Sequence, residues 1–302
     1  MTTGKRVVIG TRESALAMVQ ANMTAEAIRM TNPGLQVELL GLKTTGDKIL
    51  DRRLDQIGGK GLFVRELDAA LRDGRSDLSV HSGKDLPMEV PEDLPLIGFS
   101  KREDPRDVMV LPKGADAIDF SKPIGTSSRR RELQLRKLMP DAKIESVRGN
   151  LQTRLRKLDE GAYSALILAA AGMKRMGYED RISRYFTVDE MIPAACQGIL
   201  AFQGRAGEEY AYLKDYLDPE ASLAAMCERA FVTELDGGCS SPIAAHAVVR
   251  GGEILLRGFW VDEKEGSFGQ AVTGKVSGRA LGPEDAKKLG IALARQLKEQ
   301  KQ

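Results

Sequence analysis

An α/β chain built as two related units and a smaller α+β unit is predicted by three features of the sequence. Two apolar runs end in the same Ile-Gly-Thr step before a helical pattern, at Ile9-Gly10-Thr11 and at Ile124-Gly125-Thr126. Beyond Asp218 the pattern changes to one helix, three strand-like runs and a last helix. The length of 302 residues, with 42% hydrophobic, implies two domains at about 150 residues each, admits a third, and suffices for real cores.

Residues 5–10 read as a strand that enters Gly10-Thr11-Arg12-Glu13-Ser14, and a helix follows with apolar positions at Leu16, Val19, Met23, Ala27 and Met30. Asn32-Pro33-Gly34 closes that unit, and Val37 to Leu42 is the next strand. Pro91, Pro95 and the run from Arg102 to Arg106 mark a crossover or hinge. Pro123 to Ser128 repeats the opening arrangement before a helix carrying Leu133, Leu135 and Leu138. A strand near 143–147, a helix from about Asn150 and a buried strand at Ala165–Ala169 continue the second unit. Asp218-Pro219 reads as an N-cap with proline at the first helical position, and that helix ends at Gly237-Gly238. Strand-like runs at 244–249, 254–261 and 270–276 precede a helix from Pro283 to near Gln300. Each Ile-Gly-Thr end presents N–H groups and hydroxyls at a helix N-terminus, which suits an anion.

Charge sharpens that expectation. The net charge is only +2, yet residues 125–157 hold ten Lys or Arg against three acids, so the remainder is net negative. This basic stretch contains no Phe, Tyr or Trp on which bases could stack, which argues against nucleic acid. Arginine dominates its centre, at Arg129, Arg130, Arg131, Arg148 and Arg154, and guanidinium matches carboxylate or phosphate in two-pronged fashion. Arg136, Lys137, Arg156 and Lys157 read as a solvated helix face. Three cysteines without a CxxC pair and two histidines argue against a disulfide framework or a metal centre. The longest strongly apolar run, Ala165 to Ala171, is far short of the ~20 residues of a membrane span, and no signal peptide is recognisable. A soluble, cytoplasmic, multidomain protein is expected.

No P-loop and no GxGxxG occurs, and His81, Ser82 and Asp85 lie too close in sequence for an ordinary hydrolase triad. The motifs gain meaning together and in order. Gly10-Thr11-Arg12-Glu13-Ser14, Thr45-Gly46-Asp47, Gly59-Lys60-Gly61-Leu62-Phe63-Val64-Arg65-Glu66-Leu67 and His81-Ser82-Gly83-Lys84-Asp85-Leu86-Pro87 come first. Arg102-Glu103-Asp104-Pro105-Arg106-Asp107, Gly125-Thr126-Ser127-Ser128-Arg129-Arg130-Arg131, Arg148-Gly149-Asn150 and Glu228-Arg229 with Gly237-Gly238-Cys239 follow. From residue 6 to about residue 243 the chain resembles the porphobilinogen deaminase family, also called hydroxymethylbilane synthases.

The resemblance implies two lobes like those of periplasmic binding proteins, with mixed sheets, at residues 1–99 with 197–216 and at residues 100–196. A C-terminal α+β domain at 217–302 would carry the cofactor cysteine. It implies a transferase that joins four porphobilinogen molecules head to tail, releasing ammonia, on a dipyrromethane primer bound to Cys239 through a thioether. Cys227 and Cys196 are read as structural. Asp85 matches the family's catalytic carboxylate, which would stabilise the cationic pyrroles of the condensation and help move their protons. A turn aspartate before Leu86-Pro87 is the plain alternative. Primer contacts are implied for Ser82, Lys84, Asp85, Ser128, Arg130, Arg131 and Arg229. Substrate contacts are implied for Arg12, Ser127, Arg148, Arg154, Arg175 and Gln197. Every pyrrole carries acetate and propionate arms, which suits an arginine-lined cleft. Lys60 would sit on a lid, or on an ordinary loop. The growing polypyrrole is the expected partner of a monomer, with no nucleic acid and no membrane. A non-catalytic binding protein for a small anion and a basic RNA-binding module remain the alternatives. The sequence departs from the family's pattern at four places: Cys196 replaces Gly, Gln203 replaces Glu, Arg129 replaces an apolar residue, and Gly83 replaces a larger one.

Overall fold

The computed structural model describes residues 6–48, 64–237, 241–262 and 271–301. Its first sheet collects β1 (Arg6–Arg12), β2 (Gln36–Leu42), β3 (Leu78–Ser82), β4 (Leu96–Phe99) and β10 (Leu200–Gln203) in the order β2-β1-β3-β10-β4. β1 runs parallel to β2 and β3, whereas β10 is antiparallel to both of its neighbours. The second sheet holds β5 (Asp107–Val110), β6 (Ile124–Gly125), β7 (Ile144–Glu145), β8 (Ala165–Ala169) and β9 (Arg184–Tyr185), ordered β7-β6-β8-β5-β9. Here β6 is parallel to β7 and β8, and β5 is antiparallel to both of its neighbours. The two sheets therefore share one plan, three parallel strands and then an inserted antiparallel one.

That insertion places chemistry. Parallel strands in such sheets present ligand sites at their carboxyl ends. An antiparallel strand begins where its parallel neighbour finishes, so Asp107 at the start of β5 pairs with Ala169 at the end of β8. In the same way Leu200, at the start of β10, pairs with Ser82 at the end of β3. The two crossings between the sheets are bonded to each other, Ser100 N donating to Leu200 O at 2.9 Å and Glu103 N to Gly198 O at 3.1 Å. Gly198 has φ +89°, and a Cβ there would collide with the Glu103 carbonyl, so only glycine permits this approach.

The helices are α1 (Ala15–Thr31), α2 (Thr45–Lys48), α3 (Arg65–Arg72), α4 (Arg129–Leu138), α5 (Leu151–Asp159), α6 (Ala170–Arg175), α7 (Pro219–Glu234) and α8 (Pro283–Glu299). Side-chain caps set four starts: Ser14 accepts from Ala17 N, Ser128 from Arg131 N, Asn150 from Thr153 N, and Asp218, before Pro219, from Ala221 N. The expected apolar face of α1 needs correction. Met23 is 38% and Met30 83% exposed, and the buried residues are Gln20, Ala21, Thr24, Ala25 and Ile28. Small residues win because they let the helix lie close on the sheet, where Ala21, Ala25 and Ile28 meet Ile9, Leu78, Val80 and Phe202. The strand expected near 143–147 is also shorter, confined to Ile144–Glu145.

The third unit is a meander of β11 (Ile243–Arg250), β12 (Glu253–Val261) and β13 (Ala271–Arg279), with Phe231 of α7 and Leu293 and Leu297 of α8 in its core. Each such side chain, fully buried, contributes about 1.5–3 kcal/mol of transfer free energy. A separate cluster joins this unit to the crossings: Leu86, Phe99, Cys196, Ile199, Ala221 and Ala225. Among the described residues no helix is long and apolar enough to cross a membrane.

Both histidines are buried. Burial pushes His81 down to about 4 and His246 down to about 3. Each ring is thus neutral in the folded chain, while in the unfolded chain it takes up a proton below about pH 6.5. The folded pKa is the lower one, so stability is unaffected above that pH and falls as the pH drops towards 4 and 3. Urea denaturation at pH 5 should show a loss of about 2 kcal/mol per ring relative to pH 7. His246→Gln should remove roughly half of that loss, and an unchanged pH dependence in the variant would contradict the assignment.

Candidate active site

The carboxyl edge of the first sheet supplies a short turn. β3 ends at Ser82 and runs into a 3₁₀ turn, Gly83–Asp85, before Leu86 enters the core. Ser82 is fixed by α1, with Gln20 Nε2 donating to its Oγ at 2.9 Å and the hydroxyl donating back to Gln20 Oε1 at 3.1 Å. Beyond it, Lys84 is half-buried and Asp85 exposed. No hydrogen bond or ion pair holds the Asp85 side chain among the described residues, so no backbone N–H is capped by it.

Facing this turn from the second sheet is a buried anion with its cations. Asp107 Oδ2 accepts from Arg130 Nη1 at 2.7 Å, and Oδ1 accepts from Arg131 Nε at 3.0 Å and Nη2 at 2.8 Å. Arg130 Nη1 also reaches the Ile192 carbonyl, and Arg131 Nη1 the Ile167 carbonyl. Burial alone would raise the Asp107 carboxyl, but the two guanidinium groups, with hydrogen bonds from Arg130 and Gln197, hold it well below the usual carboxylate range. Burial also lowers Arg130, against the pull of Asp107.

Gln197 joins the two sides. Its Nε2 donates to Asp107 Oδ1 at 2.9 Å and to the Pro105 carbonyl at 2.7 Å, and its Oε1 accepts from Lys84 Nζ at 3.3 Å. Burial pushes Lys84 down to about 8, helped by Arg131 and Arg130 and opposed by Asp85 and Asp107. Part of the Lys84 surface still reaches solvent, so the close cations must contribute alongside burial. Arg154 is pushed down to about 10 by burial and then by Arg131 and Arg148, again with Asp85 opposing. Lys84, Asp85, Gln197, Arg130, Arg131, Arg148 and Arg154 therefore share one electrostatic neighbourhood, in which cations outnumber carboxylates.

The other predicted site residues surround this group. Ser127 bonds to Ser146 and the Val147 carbonyl, and Ser128 caps α4. Arg12 ends β1, close enough to His81 to disfavour its protonation. Arg175 Nη2 donates to the Gly198 carbonyl at 2.7 Å, at the crossings, and its Nε is buried without a partner among the described residues. Arg229, on α7, donates through Nη2 to the Pro87 and Met88 carbonyls at 2.6 and 2.8 Å, and its Nη1 is likewise buried without a partner among the described residues. Cys227 is fully buried, and burial pushes its thiol up to about 12, which makes it inert. Cys239 and Lys60 lie outside the described residues.

Sequence reasoning does not pick out Asp107. In Arg102-Glu103-Asp104-Pro105-Arg106-Asp107 it reads as one more charge of a solvated hinge. Its only local signal is that it directly precedes the buried run Val108-Met109-Val110. Nor does helical periodicity reveal that α4 buries Arg130, Arg131 and Gln134 alongside Leu135.

This donor set fits a ligand with several carboxylates. Around Lys84 and Arg154 the described cations outnumber the described carboxylates, and two arginine nitrogens are buried with no hydrogen bond among the described residues.

Comparison with known proteins gives concordant matches. The family described as porphobilinogen deaminase, dipyromethane cofactor binding domain, matches residues 7–212, and the porphobilinogen deaminase C-terminal domain matches residues 222–299. A porphobilinogen deaminase of Acetivibrio thermocellus is 51% identical, covering 92% of this chain and 95% of its own. One of Ruminiclostridium josui is 49% identical, covering 98% and 99%. Among solved structures, the methionine binding protein MetQ aligns with 72% of this chain and 90% of its own, at a TM-score of 0.44 and 12% identity.

Proposed function

The chain belongs to the porphobilinogen deaminase family, transferases with a dipyrromethane cofactor binding domain, and from that premise we propose how its own residues perform the reaction. The activity is the head-to-tail condensation of four porphobilinogen molecules, with release of ammonia, and addition of one water on release of the chain as hydroxymethylbilane. The observation that carries the assignment of roles is Asp85, an exposed carboxylate without a hydrogen bond or ion pair among the described residues, beside a cluster of cations from the second unit.

Each condensation exchanges the C–N bond of an aminomethyl group for a C–C bond to a ring carbon. Ammonia departs, and the ring carbon loses a proton. Positive charge builds on the pyrroles, and Asp85 stabilises it and takes part in moving that proton. Arg131, Arg148, Arg154 and Lys84, with Arg12, Ser127 and Ser128, hold the acetate and propionate arms. A carboxylate placed beside Lys84 restores the ammonium to its usual range, so binding is coupled to proton uptake near pH 8. Arg130 acts by holding Asp107, and Gln197 by linking Asp107 to Lys84. Arg175 and Arg229 offer the nitrogens that have no partner among the described residues. When bound, the dipyrromethane supplies the electron-rich pyrrole end from which growth starts, and we assign its thioether to Cys239. Lobes at 1–99 with 197–216 and at 100–196, a C-terminal domain at 217–302, a monomeric state and a cytoplasmic location complete the proposal.

Intact mass spectrometry tests it. The purified protein should exceed its sequence mass by a two-pyrrole adduct, and Cys239→Ser should abolish that excess. Added porphobilinogen should raise the mass in single-pyrrole steps. An unmodified protein that nonetheless makes hydroxymethylbilane would overturn the assignment of Cys239.

A further inference from the structure

Cys196 and Gly83 meet at the start of the turn that carries Lys84 and Asp85, and each has an unusual conformation or environment. Cys196 has φ +59°, a left-handed backbone that it shares, among the described non-glycine residues, only with Asp236. For a residue with a Cβ this costs about 1–2 kcal/mol. The residue is nonetheless 1% exposed and tightly held, its amide donating to Glu228 Oε2 at 2.6 Å and its Sγ to the Ala225 carbonyl at 3.9 Å. Opposite it, a Cβ on Gly83 would lie 2.8 Å from the Cys196 Cβ and 3.2 Å from the Ile199 carbonyl oxygen. A Cβ cannot rotate away, so a side chain at 83 and a side chain at 196 exclude each other.

Both positions adjoin the chemistry. Gly83 opens the turn that carries Lys84 and Asp85, and its N–H donates to the Ile199 carbonyl at 2.9 Å. Cys196 directly precedes Gln197, which receives Lys84 and binds Asp107. We propose that Gly83 and Cys196 are a volume-matched pair of positioning residues, the cysteine filling the space that a side chain at 83 would occupy and thereby setting how closely the Lys84–Asp85 turn approaches Gln197. This rests on the role of Asp85 proposed above. A turn displaced at Gly83 stretches the Lys84–Gln197 bond, already 3.3 Å, past the range of a useful hydrogen bond. A displacement of 1 Å at such a site can cost about a hundredfold in rate. Glycine at 196 adopts the positive φ without strain and vacates the space, so an exchange of the two sizes should be tolerated where a one-sided change is not.

The test is a double-mutant cycle of Gly83→Ala, Cys196→Gly and the pair together, with primer loading checked by mass. Gly83→Ala should lower kcat about tenfold or more with a smaller change in KM, and adding Cys196→Gly should recover most of the loss. Independently of turnover, NMR of protein labelled at the lysine ε-carbon should show the Lys84 titration near 8 moving in Gly83→Ala and returning in the double variant. The proposal is overturned if the two substitutions are additive in kcat, or if Gly83→Ala leaves both kcat and the Lys84 titration unchanged. Failure of every variant and the wild type to consume porphobilinogen would instead reject the proposed function, and the NMR arm would still decide the pairing.

Discussion

Asp85→Asn should lower the condensation rate by at least roughly a hundredfold, the range typical of a positioned acid–base group, without unfolding the protein. Asparagine keeps the volume and the capacity to hydrogen-bond but removes the negative charge. The side chain is exposed and makes no hydrogen bond or ion pair among the described residues, so the effect on stability should stay within about 0.5 kcal/mol. That absence also removes the reading of Asp85 as a turn former, which needs the carboxylate on a backbone N–H. Asp85→Glu keeps the charge one methylene away and should retain more activity than Asn, though less than wild type. Porphobilinogen consumption by protein confirmed to carry its primer is the measurement, and near-normal turnover by the Asn variant would refute the role.

Asp107→Asn should be the most destabilising single substitution of the site. It leaves Arg130 and Arg131 buried without their counter-ion and turns amide hydrogens towards guanidinium donors. Removing one partner of a buried ion pair costs about 3–5 kcal/mol. Urea denaturation reads that loss, and intact mass should show incomplete primer loading because Gln197 and Arg131 lose their shared anchor. Stability within about 1 kcal/mol of wild type would show that the arginines find other partners and that Asp107 does not organise them.

Much of this architecture is legible in the sequence because local chemistry decides it. The Ile-Gly-Thr ends become the carboxyl termini of β1 and β6, and Ser14, Ser128, Asn150 and Asp218 cap helices as their positions suggest. Less legible is whatever depends on which segments meet. The apolar spacing on α1 favours Met23 and Met30, but the sheet selects Ala21 and Ala25. Asp107 becomes the hub of the site only because an antiparallel strand starts there, beside the end of a parallel one. Gly83 and Cys196, 113 positions apart, read as two separate departures from the family's pattern until their Cβ positions are compared.

The insertion of β10 between β3 and β4 also constrains how the chain can be made. A ribosome releases every strand of the second sheet, from Asp107 to Tyr185, before it releases Leu200. Until then β3 and β4 lack the strand that lies between them, each keeping an unpaired edge, whereas the second sheet already has all its members. Order of synthesis is therefore not order of completion: the sheet begun first can be finished only after the one begun second. The segment that closes it arrives with Gln197 at its head, so the first sheet and the link from Lys84 through Gln197 to Asp107 become complete in the same stretch of chain.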